Sequence, residues 1–220
     1  MKAVAVKNLD YERIVMTRNY KLTFRIGINA LVCIFALASF AFAAKTLNLI
    51  QDDQGNEARK ETASAAVRQL TDRDPLVRQH AAEELARLAA VEQRKVVEGY
   101  RLQEKNRRVG LALDWTLYRM GKAERLFALV RAFESSGSEQ ARSYLVQLES
   151  SEPLYMFLES AKGRTLVGLL EVFARTGDED TLRRIKSYTG SSDPKVAEAA
   201  RFAEREISRR LAAPSNAASS

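Results

Sequence analysis

The chain has 220 residues, a formal net charge of +7, 46% hydrophobic and 29% charged residues, and only one cysteine, one histidine and four prolines. That length accommodates one domain of about 100–200 residues plus an appendage, and argues against a multidomain enzyme. One cysteine excludes an internal disulfide framework and any multi-cysteine zinc or iron–sulfur site, and one histidine excludes a two-histidine metal site.

The positive charge is unevenly placed. Lys2, Lys7, Arg13, Arg18, Lys21 and Arg25 stand against Asp10 and Glu12, so the first 25 residues hold more than half of the excess. Beyond them, acids and bases interleave. The densest basic run is Arg101, Lys105, Arg107 and Arg108, diluted by Glu98 and Glu104, and it reads as a solvated helical face. A nucleic-acid-binding domain concentrates its cations on one face, so no nucleic-acid partner is expected.

From Ile26 to Ala44 the chain carries no charge, and Asn29 is its one strongly polar side chain. Nineteen residues of helix rise about 28 Å, close to one hydrocarbon core. The basic flank 1–25 places the N-terminus in the cytoplasm and the larger C-terminal part across the membrane. Asp10 is a candidate cap for a short helix ahead of the span, and Cys33 reads as an apolar membrane residue. Ala41-Phe42-Ala43 also fits a processing site, so cleavage after Ala43 and secretion is the competing reading. Ser39 and Ala43 form a small-xxx-small pair through which two anchors could dimerise.

Residues 45–56 read as a polar linker. From Glu57 to Leu211 apolar residues recur with a helical period, as in Leu85, Leu88 and Val91, in Leu126, Leu129, Val130 and Phe133, and in Leu166, Leu169, Leu170 and Phe173. Breaks are predicted at Thr71–Asp74, Gly121, Ser135–Ser138, Ser150–Pro153, Gly163, Thr176–Asp178 and Gly190–Pro194. The body is therefore predicted to be all-α. Asp74-Pro75-Leu76-Val77, Asp114-Trp115-Thr116-Leu117, Glu152-Pro153-Leu154-Tyr155 and Asp193-Pro194-Lys195-Val196 begin 40, 38 and 41 residues apart, which predicts about four stacked helix pairs. The Trp115 member lacks proline and also fits a helix interior. The predicted core includes Leu85, Leu88, Trp115, Leu126, Leu129, Leu169, Phe173, Leu182, Ile185 and Val196. Residues 212–220 read as a disordered tail.

The segment Asp74-Pro75-Leu76-Val77-Arg78, followed by Ala81-Ala82 and Leu85, resembles the second helix of a HEAT repeat. Leu169 through Asp178, then Leu182, Ile185, Asp193-Pro194-Lys195-Val196 and Ala199-Ala200, resembles a whole repeat of that family. The sequence departs from the pattern at Ala197 and through the middle of the body. The resemblance covers about residues 60–210 and implies a short α-solenoid of HEAT-like helix pairs, with a binding or scaffolding role. Related phycobilin-lyase-type repeats are associated with tetrapyrrole attachment, so the resemblance leaves catalysis open.

No catalytic constellation accompanies this architecture. His80 stands without a nucleophile or ligand partner, Glu83-Glu84 point about 100° apart on a helix, and Asp178-Glu179-Asp180 reads as a helix start. No phosphate loop and no Cys/His ligand spacing occurs. No catalytic residue, cofactor or metal is therefore expected. Tyr144, Tyr155, Phe157 and Tyr188 are the candidates for a partner-binding groove, although aromatics at helical spacing more often fill a core. The expected function is a single-pass, membrane-anchored scaffold of the bacterial envelope, its repeat domain outside the cytoplasm and binding other proteins of a membrane-associated assembly. A soluble adaptor released near Ala43 is one alternative. An enzyme with a carboxylate site in the groove is the other.

Overall fold

The computed structural model describes residues 55–213. The basic segment 1–25, the predicted membrane helix 26–44 with Cys33, nearly all of the predicted linker 45–56 and the chain beyond residue 213 lie outside the described residues. No helix among the described residues is long and apolar enough to cross a membrane. The chain divides after Ala58 into two units, and residues 59–213 belong to the second.

Every regular element among the described residues is helical. The helices are α1 (55–69), α2 (Pro75–Leu88), α3 (Arg94–Gln103), α4 (Arg107–Arg119), α5 (Leu126–Arg131), α6 (Ser138–Leu145), α7 (Glu152–Leu158), α8 (Gly163–Thr176), α9 (Glu179–Ile185) and α10 (Pro194–Ala212). Short 3₁₀ turns bridge several of them. The Asp-Pro pairs act as the sequence predicts. Asp74 accepts from the Leu76 N–H and Asp193 from the Lys195 N–H, each at 2.9 Å, with proline next in the chain where its missing N–H costs nothing. Asn106 caps α4 by accepting from the N–H groups of Arg108 and Val109. Asp178 and Thr181 form a reciprocal capping box at α9, so Asp178-Glu179-Asp180 is a helix start.

The even-numbered helices lie side by side and point the same way. Arg78, early in α2, reaches Glu104 just ahead of α4, while Thr116, late in α4, reaches the Ala82 carbonyl. Gln140 of α6 donates to the Arg108 carbonyl at the start of α4. Arg142 pairs with Glu171 across α6 and α8, and Arg210 donates to the Ala174 and Gly177 carbonyls where α8 and α10 end. The odd-numbered partners run back against this layer: Arg59 of α1 meets the Leu88 carbonyl, Arg94 of α3 the Met120 carbonyl, and Ser151 the Thr176 hydroxyl. The described residues thus form five consecutive helix pairs in two layers.

The repeat is shorter than the sequence suggests. The even helices begin 32, 31, 25 and 31 residues apart, not near 40. The four similar tetrapeptides mark different places. Asp74 and Asp193 open even helices, Glu152-Pro153 opens the odd helix α7, and Asp114-Trp115 lies in the middle of α4. The last three intervals are short because they contain α5, α7 and α9, which are only six or seven residues long.

Nine of the ten predicted core residues are buried, and Leu182 is half-buried. Val91 departs from its expected set. Helix α2 stops at Leu88, and Val91 begins an exposed 3₁₀ turn. Small residues set the closest approaches. Ala82 of α2 and Ala112 of α4 leave room for the fully buried Thr116 hydroxyl, 2.7 Å from the Ala82 carbonyl and 2.8 Å from that of Ala112. On α8, a methyl group at Gly168 would stand 2.4 Å from the buried ring of Phe133.

Candidate functional site

A cleft of about 800 Å³ opens where α4 and α6 begin, walled on its third side by the end of α5. Its basic rim arises from a break the sequence reading missed. Helix α3 ends at Gln103, the chain extends through Glu104, and α4 restarts after Asn106. Arg101, Lys105, Arg107 and Arg108 therefore do not share one solvated helical face. They surround the junction between two helices.

Arg101 is committed to structure. Its guanidinium donates twice to the Asp114 carboxylate, at 2.9 Å each, and Arg125 approaches the same carboxylate at 3.3 Å. Asp114 is 2% exposed, a charge taken out of water and held there by two cations. Glu104 is likewise occupied. It accepts two hydrogen bonds from Arg78, at 2.8 and 3.1 Å, and one from the Asn106 N–H at 2.7 Å. The Arg78 contact, reinforced by that N–H against the opposing effect of burial, holds the Glu104 carboxyl below the ordinary range. Glu134, the third acid of the wall, accepts from the Thr165 hydroxyl.

The remaining cations are uncommitted. Lys105, Arg107, Arg108 and Arg131 are exposed on the cleft, and no carboxylate among the described residues lies within ion-pair distance of any of them. Leu111, Ala128 and Ala132 give the cleft an apolar wall. It is lined by no aromatic side chain.

The four aromatics singled out in the sequence have four different sets of partners. Tyr144 lies on α6, 3% exposed, its ring stacked on Trp115 at 5.6 Å between centroids. Its phenol donates to Glu83 at 2.6 Å and accepts from Gln140 at 2.7 Å. Burial first, and the Glu83 contact second, push that phenol far above the ordinary tyrosine range. Tyr155 on α7 meets Thr181 and Asp178, with Arg184 over its ring at 4.4 Å. Phe157 is buried, with the half-exposed Phe127 edge-on at 4.9 Å. Tyr188 donates to the Leu158 carbonyl at 3.0 Å. Tyr144 and Phe157 border different hollows.

His80 is exposed on α2, and Glu84 pairs with Arg87. No group of three or more His, Cys, Asp or Glu among the described residues is placed to hold a metal ion. One signal for the buried pair was present in the sequence: Asp114 is a single acid inside the apolar run from Val109 to Leu117. No protein-family model matches the chain, and no curated protein matches it.

Proposed function

We propose that the chain is a membrane-anchored scaffold whose short solenoid of HEAT-like helix pairs, held outside the cytoplasm by the apolar segment 26–44, binds other proteins of a membrane-associated assembly. One observation carries this reading: five helix pairs stack in two layers with the even helices parallel. In such an array each pair buries its apolar face only against its neighbours, and the result is an extended surface suited to holding a partner. The motif resemblance at α2 and across α8–α10 supports the HEAT-like reading, and the period near 31 residues makes these pairs shorter than typical HEAT repeats of about 40–47. The anchor rests on the uncharged run Ile26–Ala44 and its basic flank.

The test is in-cell cross-linking of the full chain, followed by detergent extraction and mass spectrometry of what accompanies it. A stoichiometric protein partner and an intact segment 1–25 are expected. A chain that begins at Ala44 and leaves the membrane without a partner would overturn the reading.

A further inference from the structure

The cleft where α4 and α6 begin is built with more positive charge than the fold consumes. Each of its acids is engaged: Asp114 by Arg101 and Arg125, Glu104 by Arg78, and Glu134 by Thr165. Four exposed cations remain, none of them within ion-pair distance of a carboxylate among the described residues. Surface lysines and arginines usually alternate with acids, as the ion pairs Arg87–Glu84, Arg183–Asp180 and Arg209–Glu206 do elsewhere on this chain. A recess ringed by unpaired cations of one sign attracts anions and raises their local concentration.

We propose that this cleft receives an acidic segment of a partner protein, its carboxylates paired with Lys105, Arg107, Arg108 and Arg131. The proposal rests on the scaffold reading and names the chemistry of its partner. Arginine forks suit carboxylates because two parallel N–H groups meet two oxygens. The apolar wall of Leu111, Ala128 and Ala132 takes an aliphatic side chain of the same segment, so charge steers the encounter while the wall adds contact.

The same features disfavour other polyanions. Single-stranded nucleic acid binds through aromatic platforms on which its bases stack, and this cleft has none. A membrane surface is broad and flat, whereas these cations ring a recess.

Binding is measured by fluorescence anisotropy on the full chain in nonionic detergent micelles, with a labelled peptide of repeating Glu-Glu-Leu and a matched Gln-Gln-Leu peptide. The variants are R108Q and R131Q, both at exposed, unpaired positions, with R205Q on α10 as the control outside the cleft. The acidic peptide is expected to bind, to weaken with added salt, and to lose about tenfold in affinity in the double variant R108Q/R131Q while R205Q is unchanged. Equal binding of the glutamine peptide, or no loss in the double variant, overturns the proposal. Stronger competition by poly-dT, or by anionic phospholipid added to the micelles, overturns the partner class. If the double variant keeps its in-cell cross-linked partner, the cleft assignment fails and the scaffold stands. If the wild-type chain has no partner, the scaffold itself fails.

Discussion

Tyr144 and Glu83 touch across an intervening helix: the phenol on α6 donates to the carboxylate on α2 at 2.6 Å, above Trp115 of α4. Helices two places apart in a layer meet only when that layer curves toward the contact. The even-numbered layer is therefore concave at α4, and this hydrogen bond fastens the curve. Removal of the hydroxyl leaves Glu83 with Gln79 alone. Y144F is expected to cost about 1–2 kcal/mol, the usual loss for a hydrogen bond to a charged acceptor that water partly replaces. Urea unfolding followed through Trp115, the chain's one tryptophan, measures it. An unchanged midpoint would mean that the contact does not hold the curve.

Helices α2 and α4 end in the same motif on different residues. The Ala89 and Ala90 N–H groups return to the Ala86 and Leu85 carbonyls, as those of Gly121 and Lys122 return to Tyr118 and Leu117. Both C′ residues are left-handed, Gly121 at φ 92° and Ala89 at φ 46°. Only the alanine bears a Cβ there. A89G is expected to stabilise the protein by about 1 kcal/mol, because the left-handed penalty outweighs glycine's extra entropy in the unfolded chain. The check is a rise of a few degrees in thermal midpoint.

Gly168 marks a contact with no room for a methyl group. G168A forces the buried Phe133 ring to move and is expected to cost about 2–3 kcal/mol. F133A in the same chain removes the obstructing Cγ, Cδ1 and Cε1 atoms, so the double variant is expected to lose less than the two single losses added together. Additive losses in a double-mutant cycle would show that Phe133 is not the obstacle.

Acid stability follows from Glu104. Its carboxyl titrates below the ordinary value of 4.5 in the fold, chiefly because Arg78 hydrogen-bonds its charged form. The unfolded chain therefore binds the proton first as pH falls. The pair's contribution is present in full above about pH 4.5 and is lost as pH drops through the lowered folded value. E104Q is expected to unfold at lower temperature at neutral pH, by an amount equivalent to about 1–2 kcal/mol, and to lose less than wild type between neutral pH and strong acid. Asp178, lowered mainly by the Thr181 N–H, leaves part of the acid sensitivity in place. Parallel curves for both proteins would contradict the assignment.

The helices were legible where local chemistry decides. Asp-Pro pairs opened α2 and α10, Gly121 ended α4, and nearly all of the predicted core residues are buried because a 3.6-residue period fixes the face before it fixes the neighbour. The repeat length was not legible, since Glu152-Pro153 and Asp74-Pro75 look alike in sequence and open helices of opposite layers. The site was missed for a related reason. The break at Glu104–Asn106 carries neither glycine nor proline, and the partners of Asp114 lie 13 residues before it and 11 after. Which charges are consumed inside the fold, and which are left over, appears only once the helices are packed.

The most direct test of the scaffold is a photoreactive residue in place of Ser136, exposed on the wall of the basic cleft, in the full chain in its own cells. The same substitution at Arg205 serves as control. The account predicts a single abundant protein adduct from Ser136 and none from Arg205, both on chains that stay in the membrane fraction with segment 1–25 intact. No adduct from Ser136, or adducts only on a soluble chain beginning at Ala44, would contradict it.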